Sequence, residues 1–246
     1  MKKTILAASL LSALAAFSAN AATVVGFKVG ADYWHADAKG NVPDDAGNLH
    51  GFDYDTSGQT SVWFAVEHPV PLLPNLLIRE NRLEEDGFNA DATLAFGGIP
   101  FNGELYSTMD LSNTDFVLYY ELLDNDIVSL DVGGAYKKMN GSLRISNASG
   151  VAAQKDFTDG IIMGYASAVV GMPGLGLYGF ADLMAGLDES QVYDYSVGLG
   201  WEFDGIALDT RIRAGYREFS FDVNGFDGIS TDSSFKGYFA GVELLF

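Results

Sequence analysis

Residues 193–203 read YDYSVGLGWEF, and this stretch decides the fold. Tyr193, Tyr195, Val197, Leu199, Trp201 and Phe203 hold one parity; Asp194, Ser196, Gly198, Gly200 and Glu202 hold the other. A strand turns successive side chains to opposite faces, so one face is apolar and aromatic and the other is small or charged. The next stretch repeats the pattern with parity reversed. Ile206, Leu208, Thr210, Ile212, Ala214 and Tyr216 alternate with Ala207, Asp209, Arg211, Arg213, Gly215 and Arg217. Asp204-Gly205 between them is a favoured two-residue hairpin turn. That turn places Phe203 opposite Ile206, Trp201 beside Leu208 and Asp194 opposite Gly215, and it brings both apolar sets to one face.

Working outward, the same period of two predicts ten strands, near 24–34, 60–68, 76–84, 113–121, 127–137, 157–170, 175–187, 191–203, 206–221 and 234–246. The weakest is 76–84, where Leu76 and Ile78 run into Arg79-Glu80-Asn81-Arg82. Residues 35–59, 85–112, 138–156 and 222–233 read as long, polar, acidic loops. The intervening connections are short, 188–190 among them.

Composition narrows the class. The 246 residues carry 48% hydrophobic and 13% aromatic residues with 29 Gly, so disorder is excluded as the dominant state. Fourteen Lys+Arg against 33 Asp+Glu opposes nucleic-acid binding, and the absence of Cys rules out disulfides and thiolate metal sites. A soluble β-sandwich would also alternate. Here, however, aromatics gather at strand ends and the opposite faces carry charges and glycines, too polar for a dry core. Strands of this length, an even count, and short turns opposite long loops describe a transmembrane antiparallel up-and-down β-barrel of about ten strands. A helical span has one candidate, 160–181, but Gly171-Met172-Pro173-Gly174 at its centre reads as a turn between two strands.

Residues 1–21 read as a cleaved secretory signal: Lys2-Lys3, an apolar run from Ile5 to Phe17, then Ala19-Asn20-Ala21. The barrel is then 22–246, in the outer membrane of a Gram-negative bacterium. The final strand, with Tyr238, Ala240, Val242, Leu244 and terminal Phe246 at alternate positions, resembles the sorting signal of bacterial outer-membrane proteins. The resemblance implies recognition by the barrel-assembly machinery. The segment Glu67-His68-Pro69-Val70-Pro71-Leu72-Leu73-Pro74-Asn75 resembles a turn in a family of small proteobacterial outer-membrane β-barrel proteins of unassigned function. It implies fold and location, and brings no catalytic residues.

Motifs for chemistry are few. Gly174-x-Gly176-x-x-Gly179 matches a dinucleotide fingerprint by letter, but it lies in a turn and strand with no helix to follow, so no cofactor is expected. Asp53-x-Asp55-x-Ser57-Gly58 opens like a calcium loop, yet Phe64 stands where a bidentate Glu is needed. Asp37, Asp44, Asp45, Asp53 and Asp55 still crowd one loop, which could gather divalent cations beside lipopolysaccharide, or could be a solvated acidic surface. His35, His50 and His68 lack a Ser-centred motif, so catalysis is not expected; an outer-membrane protease or lipid A hydrolase is the minor alternative.

The inward face is more informative. Lys28, Arg79, Lys137, Arg211, Arg213 and Arg217 point inward, as do Glu67, Asp115, Glu121, Asp131, Asp182, Asp194, Glu202, Asp209 and Glu243. Bulky Trp63, Tyr178 and Phe180 join them. The hairpin register places Asp194 between Arg213 and Arg217. These charges either cross-link into a plug, giving a structural or surface-interaction protein, or line a narrow channel for small solutes or cations.

Overall fold

The register of the 193–217 hairpin is fixed by two glycines. In the computed structural model, Gly198 stands opposite Gly215, and a Cβ on either would overlap the backbone of the other strand. This pairing sets Phe203 against Thr210 and Asp194 against Phe219, four residues away from the register that a two-residue turn demands. The Asp204-Gly205 turn is therefore a correction: the connection lengthens, with Gly205 N–H donating to Asp209 Oδ1 at 2.8 Å. A slip of four preserves parity, so the apolar face is unchanged.

The structure describes residues 25–246 apart from 71, 126 and 207; the signal segment 1–21 lies outside them. Ten strands form the barrel: β1 (Gly26–Pro43), β3 (Thr56–Glu67), β4 (Asn75–Arg82), β7 (Asn113–Asp124), β8 (Val128–Met139), β11 (Gly160–Gly171), β12 (Leu177–Gly186), β13 (Val192–Phe203), β14 (Asp209–Phe226) and β15 (Ile229–Leu245). Each pairs antiparallel with its neighbours, and β1 closes the ring by pairing with both β15 and β3. The segment 76–84, weakest in sequence, is a full barrel strand.

Closure can be followed residue by residue. Phe27 faces Val66, then Leu76, Leu118, Gly134, Gly164, Ala185, Tyr193, Ser220 and Ser234 in turn, and Ser234 returns to β1 at Lys39. One circuit thus climbs twelve residues, from 27 to 39. That stagger over ten strands corresponds to a strand tilt of roughly 40° and a narrow interior. The start of β1 and the end of β15 lie at the short-turn end, where Phe27 and Phe246 exchange backbone hydrogen bonds of 3.2 and 2.9 Å.

The four long loops are the main departure from the sequence reading. They extend β1, β14 and β15 beyond the barrel and add five strands: β2 (Leu49–Tyr54), β5 (Glu84–Phe96), β6 (Ile99–Asp110), β9 (Gly141–Asn147) and β10 (Ala152–Phe157). These continue the sheet outward from β1 in the order β2, β5, β6, β9, β10. Two of the true two-residue turns are here. Gly97-Gly98 joins β5 to β6 and Asp227-Gly228 joins β14 to β15, all four with positive φ. Positive φ at both central residues matches the right-handed twist of a hairpin.

The inner side of this extension is apolar. Phe157, Phe219, Phe221, Phe235, Leu105 and Met109 are fully buried, and Phe157 stacks on Phe221 at 5.7 Å. The expectation that inward faces are too polar for a dry core holds only in the lower barrel. Above Asp194 the interior is a hydrophobic plug.

Candidate functional site

The lumen is organised in layers, each built by the inward parity of several strands. The uppermost polar layer lies directly beneath the aromatic cap. Lys137 and Asp115 are wholly buried there, 2.7 Å apart, and Lys137 also reaches Asp194 at 3.3 Å and Asn113 at 3.0 Å. Arg217 forks onto Asp194, with Nε donating to Oδ1 at 2.9 Å and Nη2 to Oδ2 at 2.7 Å. Its remaining donors reach Ser61 and Asn81 at 2.9 and 3.0 Å, and Asn81 donates onward to Asn113 and Asp115. Phe219 lies 4.8 Å from the Lys137 ammonium, and Trp34 lies 4.9 Å from the Arg217 guanidinium. A bidentate Arg–carboxylate pair is the strongest ordinary ion-pair geometry, and here it is desolvated on all sides.

The next layer down is separate. Arg213 binds Asp32, with Nε to Oδ1 at 3.0 Å and Nη2 to Oδ2 at 2.6 Å, and approaches Glu243 at 3.4 Å. Arg211 binds Glu202 at 2.5 Å. Nearest the short-turn mouth, Lys28 and the Tyr119 hydroxyl both donate to Glu67, at 2.5 and 2.8 Å.

Asp194, Arg217, Arg213, Arg211 and Glu202 make their contacts on the inward side, while two pairings change. Asp194 meets Arg217 but not Arg213, whose partner is Asp32 across the β1–β15 seam. Asp209 belongs to no lumen network, because its carboxylate caps the β13–β14 connection at Gly205. Both corrections follow from the register slip. Ser61, Asn81 and Asn113 went unremarked in the sequence because neutral polar residues give no charge signal, and Asp32 was passed over although it shares the inward parity of Lys28 on β1; parity was the available clue for all four.

Outside, the belt is apolar. Leu199 is 71% exposed, and Val197, Trp201, Phe203, Leu118, Val62 and Ile162 are exposed with it. In water such a surface would be untenable for a monomer, whereas in lipid it is required. A closed sheet with an apolar outer belt and no unpaired barrel edge satisfies every demand of a bilayer. The protein is an outer-membrane β-barrel. Short turns are periplasmic and long loops external in barrels of this class, which sets the β3–β4 turn and Phe246 on the periplasmic side and the β2–β5–β6–β9–β10 extension outward. Tyr238 and Val242 of the terminal strand lie on the lipid face, as does Leu244 by parity.

No protein-family model matches the chain, and no curated protein matches it. Solved structures to which the chain is similar include the outer membrane protease OmpT from Escherichia coli, at 11% identity over 93% of this chain and 100% of that one, with TM-score 0.48. Ail, the attachment invasion locus protein of Yersinia pestis, in complex with the heparin analogue sucrose octasulfate, matches at 12% identity over 91% and 100%, with TM-score 0.34. Neisserial surface protein A matches at 14% identity over 89% and 96%, with TM-score 0.32.

The acidic outer segment is dispersed. Asp44 accepts from Ala46, Asn48 and His50, which holds its carboxyl well below the usual range, chiefly through the Asn48 side chain. Asp45 accepts from the Gly97 and Gly98 amides and from Lys155, and is likewise lowered, most of all by Gly98. Asp37 and Asp53 line an open groove of about 770 Å³ on the outer wall. Among the described residues no group of three or more His, Asp or Glu is arranged to hold a metal ion. His35 is exposed on β1, and His68 bonds the Pro74 carbonyl at 3.2 Å in the β3–β4 turn.

Proposed function

We propose that the protein is a non-conducting, non-catalytic barrel with a structural or surface-interaction role, its outward sheet being the part that meets lipopolysaccharide and other partners. The narrower likeness, to the small family that shares the Glu67–Asn75 turn, belongs to this reading. One observation carries it. The layer of Lys137, Asp115, Asp194 and Arg217 is buried, mutually bonded and sealed above by Phe219, Phe221 and Phe235. An ion crossing that layer would have to break a bidentate pair and then traverse an apolar plug, both costly without water.

Conductance in planar bilayers tests the proposal. The refolded protein is expected to show no discrete steps above baseline, while regular ion-selective steps would replace it with the channel reading. Incubation with peptide and lipopolysaccharide substrates tests the catalytic alternative, and turnover above buffer would establish it.

A further inference from the structure

Three buried hydrogen-bond donors face the periplasmic half of the lumen without an acceptor in the protein. They are Arg79 Nε, Trp63 Nε1 and Tyr178 Oη. Their residues are only 8%, 6% and 8% exposed, and all three border one cavity of about 180 Å³. Donors that border a cavity without a protein acceptor are available to whatever occupies it, and three of them border this one. Arg79 stands out further. Lys28, Lys137, Arg211, Arg213 and Arg217 each have a carboxylate within 4.0 Å, whereas Arg79 has none among the described residues.

The site is built by the backbone as well. Trp63 lies across Gly30, where a Cβ would overlap the nitrogen side of the indole. Tyr178 lies across Gly200, where a Cβ would overlap the hydroxyl end of the ring. Arg213 sits 5.5 Å from the Trp63 ring and Arg211 sits 5.3 Å from the Tyr178 ring, so both rings are backed by cations. The carboxylates on the same wall are already matched. Asp182 accepts from Ser167 and Ser196 at 2.7 and 3.0 Å, and Glu243 is held by Arg213.

We propose that this chamber binds a small carboxylate entering from the periplasm, its oxygens accepting from Arg79, Trp63 and Tyr178. An unpaired guanidinium beside two neutral donors is the arrangement that receives a planar oxyanion. Glu121 and Asp131 at the mouth disfavour polyanions and restrict the ligand to low charge. Asp131 Oδ1 is also without a donor, which a hydroxyl or ammonium group on the ligand would supply. The chamber lies below the sealed layer, so this site stands whether or not the barrel conducts.

The test is acetate titration of the refolded protein in detergent at constant ionic strength, with chloride exchanged out. Trp201→Phe removes the lipid-facing tryptophan; of the two that remain, Trp63 borders the chamber and Trp34 does not, so an acetate-dependent change in emission is assigned to Trp63. A saturable change is expected with acetate, weakened about threefold to tenfold by Tyr178→Phe and at least as much by Arg79→Gln. Trp63→Phe in the same background should abolish the signal. Heat-modifiable mobility shows that each variant is folded; if Arg79→Gln does not fold, Tyr178→Phe decides, since it removes one oxygen only. No saturable acetate response over chloride, an affinity unchanged in Tyr178→Phe, or a response to inorganic phosphate alone would each overturn the assignment.

Discussion

Arg217 grips Asp194 from a diagonal position: Arg217 is the Cα partner of Ser196 and Asp194 that of Phe219, yet the guanidinium closes on both carboxylate oxygens. Diagonal neighbours in an antiparallel pair are about 7–8 Å apart at the backbone, a span that an Arg side chain covers and a Lys covers with one contact fewer. The same guanidinium bonds Ser61 and Asn81 on the far wall, so one residue links β14 to β13, β3 and β4.

That geometry predicts strong, specific coupling. Removing either partner strands a buried charge, so Asp194→Ala should cost about 3–5 kcal/mol of barrel stability. Asp194→Ala combined with Arg217→Ala should cost less than the two single losses together, and Asp194→Ala with Arg213→Ala should be nearly additive. Urea titrations in lipid vesicles measure both cycles. Coupling of Asp194 to Arg213 instead would restore the two-residue turn and overthrow the register described here.

A second prediction concerns the lipid face. Leu199→Arg places a charge at mid-membrane and should destabilise by about 2–4 kcal/mol in the same assay. Gly200→Ser, on the opposite face, is not the harmless control that its polarity suggests. Its Cβ would overlap the Tyr178 ring, so it too should destabilise, while Ala166→Val, outward on β11, should change stability little. A neutral Gly200→Ser would show that Tyr178 moves freely.

Much of this architecture was legible because period-two alternation survives any slip by an even number of residues. The count of barrel strands, the weak strand at 76–84 and most inward charges followed from parity; Asp32, inward on β1 beside Arg213, was passed over, and Asp209 was placed inward although it caps the β13–β14 connection. Register did not, because Asp204-Gly205 offers a favoured turn and both registers bury the same face. The deciding fact, two glycines in backbone contact at 198 and 215, is a steric demand that single-strand patterns do not display. The outward sheet was missed for another reason. Its inward apolar residues, Leu94, Phe96, Phe101 and Leu105, are interleaved with Thr93, Pro100, Asn102 and Glu104 and follow Glu84-Glu85-Asp86 and Asp91, so the segment reads as a polar, acidic loop. The Gly97-Gly98 dipeptide between them was the signal that identified a hairpin.

The chain end makes a third prediction. Phe246 N–H donates to Phe27 at 2.9 Å and its carbonyl accepts from Phe27 at 3.2 Å, so the last residue completes the β15–β1 seam. Deleting Phe246 removes both bonds and the terminal aromatic of the sorting pattern. Export should continue, while folded, heat-modifiable protein in the outer membrane falls and periplasmic protein accumulates. Undiminished outer-membrane levels would show that neither the seam nor the signal depends on it.

Asp45 makes the last prediction, and here acid is the probe. Its carboxylate ties three outward hairpins together, accepting from Gly97 and Gly98 in the β5–β6 turn and from Lys155 on β10, at 2.8–3.0 Å. These contacts lower its folded-state pKa below the ordinary value of 3.8, and Asp44 in the same turn is lowered as well. A group depressed on folding contributes stability that is fully present above its unfolded pKa and is lost as pH falls through the folded one. The outward sheet should therefore be indifferent to pH between about 5 and 8 and loosen below about 4. Amide hydrogen exchange at Gly97 and Gly98, corrected for the intrinsic pH dependence, should accelerate there while the barrel strands stay protected. Asp45→Asn should bring that acceleration to neutral pH, because the amide has one acceptor where the carboxylate has two and carries no charge for Lys155. Equal protection of Gly97 and Gly98 in wild type and Asp45→Asn at pH 7 would remove Asp45 as the latch.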